Sequence, residues 1–169
     1  MTVCRISGVV VSIAGMCAAG GASSADPPML KSGLWEVSRV NTQQGDKAHL
    51  TMMCLDDSVQ AQMREFRMGV AKEMCTENDQ RVEGNRMTVK VSCKLGPTTM
   101  KTTSVMVFSG NTAYHTESTA SYDPPFMNMS EAKSTIDGKW TGPCKAGQLP
   151  GDVVTETGET INMKAMMKK

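Results

Sequence analysis

The side chains in this sequence best suited to holding a ligand are thioethers, with 16 methionines against 3 phenylalanines, 2 tyrosines and 2 tryptophans. Thioether sulfur is a soft donor that selects Cu(I). Three places offer it: Met52 and Met53 beside His49, Met127 and Met129 in the stretch SYDPPFMNMS, and Met163, Met166 and Met167 in the tail. Residues two apart on an extended segment share a face, so Met127 and Met129 can reach one ion there. The tail spacing shares a face only in a helix. Packing competes with this use, because from Asp26 onward 14 methionines stand against 6 leucines and 2 isoleucines. A core has to be filled, and the flexible methionine side chain fills irregular gaps. Most methionines are therefore expected to replace leucine, with no cofactor as the leading expectation and copper as the alternative.

Other chemistry finds little support. The sequence contains no HExxH, GxSxG, phosphate-binding P-loop or GxGxxG after a strand. Its only histidines are His49 and His115. His115 and Glu117 project from one strand face, where a carboxylate can orient an imidazole, but a surface pair is the simpler reading. Asp56 and Asp57 are adjacent carboxylates at a predicted helix start, better explained by capping and by the helix dipole. No catalytic residue is assigned, and an enzyme is not the expectation.

The first 25 residues carry one charge, Arg5, an apolar run from about Ile6 to Ala19, and small residues ending at Ala25. This is the pattern of a cleaved secretory signal. A lipid anchor on Cys17 is the rival, but Met16 precedes that cysteine where a small residue is needed. The run is too short to span a bilayer, and no other stretch approaches the roughly 20 apolar residues that a spanning helix requires. Residues 26–169 are expected to form a single β-rich domain with a loose C-terminal tail, periplasmic or secreted. The whole chain carries 18 basic and 17 acidic side chains, so without Arg5 the charges balance. A nucleic-acid binder needs a basic excess, and none is present.

Six cysteines fall to four once the leader is removed: Cys54, Cys75, Cys93 and Cys144. In an exported chain they point to two disulfides, with three possible pairings. Cys75 and Cys93 lie equidistant from Gly84, as a bridge across a hairpin requires. A strict two-residue Gly84-Asn85 turn opposes Thr76 to Cys93 instead, so a bulge or a longer turn must absorb the slip. Cys54 then pairs with Cys144. The spacings contain no CxxC or CxxH pair for a metal.

The elements that must position these groups are mostly strands. GLWEVSRV and KAHLTMMCL form a first hairpin, and a helix follows, capped by Asp56 or Asp57, with Val59, Met63, Phe66 and Val70 at helical spacing. Gly69 is its expected terminator. Strands resume on either side of Gly84-Asn85 and of Gly110-Asn111, which read as two-residue turns. The double proline Pro124-Pro125 stops a strand, EAKSTI forms the next, and Asp137-Gly138 turns the chain toward Trp140. A last short strand lies near Val153. The expected fold is mainly β: an antiparallel meander of seven or eight strands curled into a barrel or half-barrel, with one short helix after the second strand. A two-sheet sandwich is the alternative.

SGLWEV, CLDDS, VEGNRMTVKVSC and GKWTGPCKAGQLPGD together resemble the bacterial envelope proteins grouped as domain of unknown function 3617, over roughly residues 30 to 152. The resemblance implies an exported, mostly β protein with no assigned activity and supplies no catalytic residues. The expected function is therefore a non-enzymatic envelope protein that binds a small hydrophobic ligand or another envelope protein. Periplasmic Cu(I) binding through Met127, Met129, Met52, Met53 and His49 is the alternative.

Overall fold

The computed structural model describes residues 26–167, so the leader and its expected cleavage near Ala25 lie outside the described residues. The strands are β1 (Gly33–Asn41), β2 (His49–Leu55), β3 (Cys75–Glu83), β4 (Arg86–Leu95), β5 (Thr98–Ser109), β6 (Ala113–Phe126), β7 (Met129–Gly142), β8 (Asp152–Val154) and β9 (Thr160–Asn162). Among the described residues two α-helices accompany them, α1 (Asp57–Met74) and the single turn α2 (Met163–Met166), with a 3-10 turn at Thr42–Gln44. The fold is mainly β and antiparallel, as expected, but the described residues form nine strands in one sheet and not a sandwich.

The sheet order is β3-β4-β5-β6-β7-β1-β2-β8-β9. This corrects the simple meander. Strands β3 to β7 follow one another, but the first hairpin docks beside β7, so α1 carries the chain from one part of the sheet to its far edge. Nor does the sheet close into a barrel: β3 and β9 stand at its two ends, unpaired with each other.

Local chemistry explains most of the elements. Asp56 caps α1 by accepting from the Val59 amide at 2.8 Å and from the Ser58 hydroxyl at 2.8 Å. Burial acts to raise the Asp56 carboxyl, but these two donors hold it below its ordinary range. The helix does not end at Gly69; it runs on to Met74, since one interior glycine costs only about 1 kcal/mol. Glu83 pairs with Arg86 across a two-residue Gly84-Asn85 turn, and the register slips between Cys75 and Glu77. Of the two ways to absorb the cysteine spacing, a bulge or a longer turn, the chain uses this slip, and it sets Cys75 against Cys93. The other bridge joins Cys54 to Cys144. Ser109 pairs with Ala113, so the Gly110 turn has three residues, one more than expected.

Two expected breaks are not breaks. β7 passes straight through Asp137-Gly138. Gly138 lies directly opposite Tyr114, and a Cβ on it would collide with the Tyr114 ring; the glycine makes room for an aromatic face and turns nothing. β6 likewise continues through Pro124 and Pro125 to Phe126. Proline is tolerated there because pairing to β5 ends at Asp123 and the register to β7 breaks between Ser121 and Phe126.

The core centres on Trp35, Leu55 and Val59, with Leu30, Val37, Met53, Met63, Tyr114 and Trp140 packed around them. Trp35 stacks on Tyr114 with ring centroids 5.7 Å apart, and its indole N–H donates to the Lys31 carbonyl at 2.8 Å. The Trp140 indole donates to the Ser32 carbonyl at 3.1 Å, and Lys31 lies over its ring. Gly33 sits between these tryptophan anchors with φ of 138°, where a Cβ would strike Trp140 and the Gly142 carbonyl.

Nor is the tail loose. After the Cys144 loop, β8 pairs with β2 and β9 with β8. Asn162 then caps α2 by accepting from the Ala165 amide, while its own amide donates to Asp152 at 2.8 Å. The Gln62 side chain donates to the Lys164 carbonyl, and the Lys164 ammonium to the Ser58 hydroxyl, which hold α2 against α1.

Candidate functional site

Successive strand residues face opposite sides of a sheet. The side that carries Trp35 also carries Met53 and Leu55 of β2, Met106 and Phe108 of β5, and Tyr114 of β6. Across it lies one face of α1, where Gln60, Met63, Arg64 and Arg67 recur at helical spacing. Between helix and sheet is a cavity of about 570 Å³. Its remaining walls are the segment Pro27 to Leu30, Met87 of β4, Phe66, and Met163, Met166 and Met167 at the tail. Among the described residues that line it, eight are methionines and two, Arg64 and Arg67, are charged.

The polar groups of the cavity are largely committed. Gln60 forms a reciprocal pair with Leu30, accepting from its amide at 2.8 Å and donating to its carbonyl at 2.9 Å, which pins the N-terminal segment to α1. Burial pushes the Tyr114 phenol above its ordinary pKa, so it stays neutral. Arg64 donates to the Met29 sulfur at 3.5 Å and stands 4.0 Å from the carboxylate of Asp26, itself a mostly exposed residue.

The methionines that sequence reasoning favoured for metal do not converge. Met127 and Asn128 are the two turn residues of the β6–β7 hairpin, both at positive φ, with Phe126 paired to Met129 around them. Met127 is therefore outside the extended geometry that would align it with Met129, and it is 77% exposed. Met52 and Met53 point to opposite faces of β2, and only Met53 reaches the cavity. His49 lies 3.8 Å from Glu156, at an exposed end of β2. Met163, Met166 and Met167 do gather at the cavity, on the one turn of helix that their spacing requires.

His115 has a second partner that the sequence does not reveal. Asp137, opposite it on β7, lies 2.7 Å from its Nδ1, while Glu117 is 3.7 Å from Nε2. The hydrogen bond to Asp137 raises the His115 pKa, with Glu117 adding to the effect. One position along from Tyr114, this cluster lies on the sheet face turned away from the cavity and open to solvent.

Residues 30–144 match the family model described as protein of unknown function DUF3617. The chain belongs to the DUF3617 family. The matched span takes in both disulfides, α1 and strands β1 to β7, so DUF3617 membership covers the scaffold and most of the cavity wall. Strands β8 and β9 and helix α2 lie beyond it. No curated protein matches the chain. Among the described residues no helix is long and apolar enough to cross a membrane, and no cluster of three His, Cys, Asp or Glu side chains is arranged to hold a metal.

Proposed function

We propose that this DUF3617 protein is an exported, non-enzymatic envelope protein that holds a small hydrophobic ligand in the cavity between α1 and the sheet. The observation that carries this reading is the methionine lining of a cavity of about 570 Å³, within the range of roughly 300–1,000 Å³ usual for small-molecule sites. Met side chains adapt to apolar bodies of different shape, so such a wall suits a ligand class better than a single molecule. The reading takes the sheet as a half-barrel curled about α1; lining residues contributed by β2, β4, β5 and β6 support that curvature. A recessed site of this volume favours a small ligand over an envelope-protein partner. Two disulfides support export, because such bonds persist in oxidising compartments. Native mass spectrometry of protein purified from its host envelope tests the proposal. A bound apolar mass is expected, and protein that is always free of one overturns it.

A second reading, Cu(I) binding, is favoured by one observation: thioethers that are scattered in sequence gather at this cavity. On that reading Met163→Leu/Met166→Leu lowers Cu(I) affinity in a competition titration, whereas Met127→Leu/Met129→Leu does not.

A further inference from the structure

The apolar wall says nothing about how a ligand would be oriented, but the charges do. Among the described residues that line the cavity, Arg64 and Arg67 are the only charged ones, and none is a carboxylate. Both stand on α1, one turn apart, on the same stripe as Gln60 and Met63, so both guanidiniums serve one edge of the cavity. Neither is neutralised by a strong partner. Arg64 has the loose contact to Asp26 at 4.0 Å, and Arg67 makes no hydrogen bond or ion pair with any described residue. Two other surface cations do have closer acidic partners, Arg81 in Asp79 and Lys133 in Glu131, each at 3.1 Å. Long arginine stems lie along apolar surface while their heads reach water, and the guanidinium fork matches a carboxylate or phosphate bidentately.

We infer that the cavity takes a small amphiphile with an anionic head, its apolar tail among the methionines and its carboxylate or phosphate on Arg64 and Arg67. This rests on the ligand-binding reading above and adds polarity and charge to it. The tail meets Met53, Met87 and Met106 on the sheet, and the head remains at the α1 edge, where water reaches the guanidiniums.

Displacement of the neutral fluorophore N-phenyl-1-naphthylamine from the full-length mature protein tests it with three competitors of one chain length: laurate, monododecyl phosphate and dodecanol. The expected result is that at least one anionic competitor is about tenfold or more stronger than dodecanol, since hydrogen bonds to charged groups are worth roughly that factor. Arg64→Gln/Arg67→Gln is expected to abolish the advantage and leave dodecanol unchanged, while Arg81→Gln leaves both unchanged. Laurate ahead of the phosphate assigns a fatty-acid-like head, and the reverse order a phosphate head. Equal competition by dodecanol and both anions overturns the inference but leaves the hydrophobic site standing, as does an anion preference that survives the double variant. Failure of all three competitors overturns both. Arg67 is exposed and Arg64 half-buried, so an unchanged thermal midpoint of the double variant separates lost binding from lost folding.

Discussion

The two parts of α1 stand in different surroundings. Its first turn sends Val59 into the core, wholly buried against Trp35 and Leu55. Further along, Phe66, Met68, Val70 and Met74 are all exposed, Met68 to 61%. The sheet repeats the contrast: the β1–β2 region is closed by the two tryptophans and by Cys54, while β3 is mostly exposed along its length. One end of the molecule is thus packed to fold and the other left open. The cavity sits where they meet, so a single helix is both part of the core and a wall of the site.

The largest test of that contrast is covalent. Cys54–Cys144 closes a separation of 90 residues and lies at the packed end, whereas Cys75–Cys93 closes 18 at the open end. Loop-entropy arguments give about 5 kcal/mol for the first and about 3 for the second. Urea unfolding of the paired Cys→Ser variants should reproduce that order; equal losses would break the contrast. Next come the aromatic anchors. Trp35→Ala should cost about 3–5 kcal/mol by cavity formation, while Phe66→Ala, with its ring 47% exposed, should cost no more than about 1 kcal/mol. Yet Phe66→Ala should weaken binding of an apolar probe, because Phe66 lines the cavity.

A smaller effect sharpens the picture at the β6–β7 turn. Met127 has φ of 50°, a conformation that suits asparagine or glycine and costs other residues about 1 kcal/mol. Met127→Asn should raise stability by roughly that amount in denaturant melts. The smallest effect is electrostatic. The His115 pKa is raised by Asp137, so the pair stabilises the fold fully below the unfolded histidine value of about 6.5 and loses that contribution as pH rises through the higher folded value. At an exposed site this amounts to a few tenths of a kcal/mol. A proton NMR titration should place His115 above about 6.5, and Asp137→Asn should lower it.

What could be read ahead of the structure was local. A cap at Asp56 or Asp57, the Gly84-Asn85 turn and a slip between Cys75 and Cys93, taken up by a bulge or a longer turn, follow from interactions among residues near in sequence; the structure selects Asp56 and the bulge. The misreadings share a cause, which is that tertiary context reassigns a residue's usual role. Gly138 has the composition of a turn but serves Tyr114, and Pro124-Pro125 has that of a strand end but lies where β6 has no ladder partner to lose. The docking of β1 beside β7 leaves no local mark. The site was less legible still. Its methionines run from Met29 to Met167 and come together only when α1, the sheet and the tail are assembled. Adjacent pairs such as Met52 and Met53, which the eye selects, are divided between faces by the period of the strand.

The open sheet bears on how many copies of this chain can share a solution. Unpaired strand edges are templates on which a further strand can add, and from there a fibre can grow. Here β3 meets solvent with Glu77, Asp79, Arg81 and Glu83 exposed along nine residues, and β9 offers three residues before α2 ends the run. An added strand would have to accommodate charge at one edge and would find almost no length at the other. The sheet can therefore stay open beside the cavity while neither edge offers a long, uncharged template for a further strand.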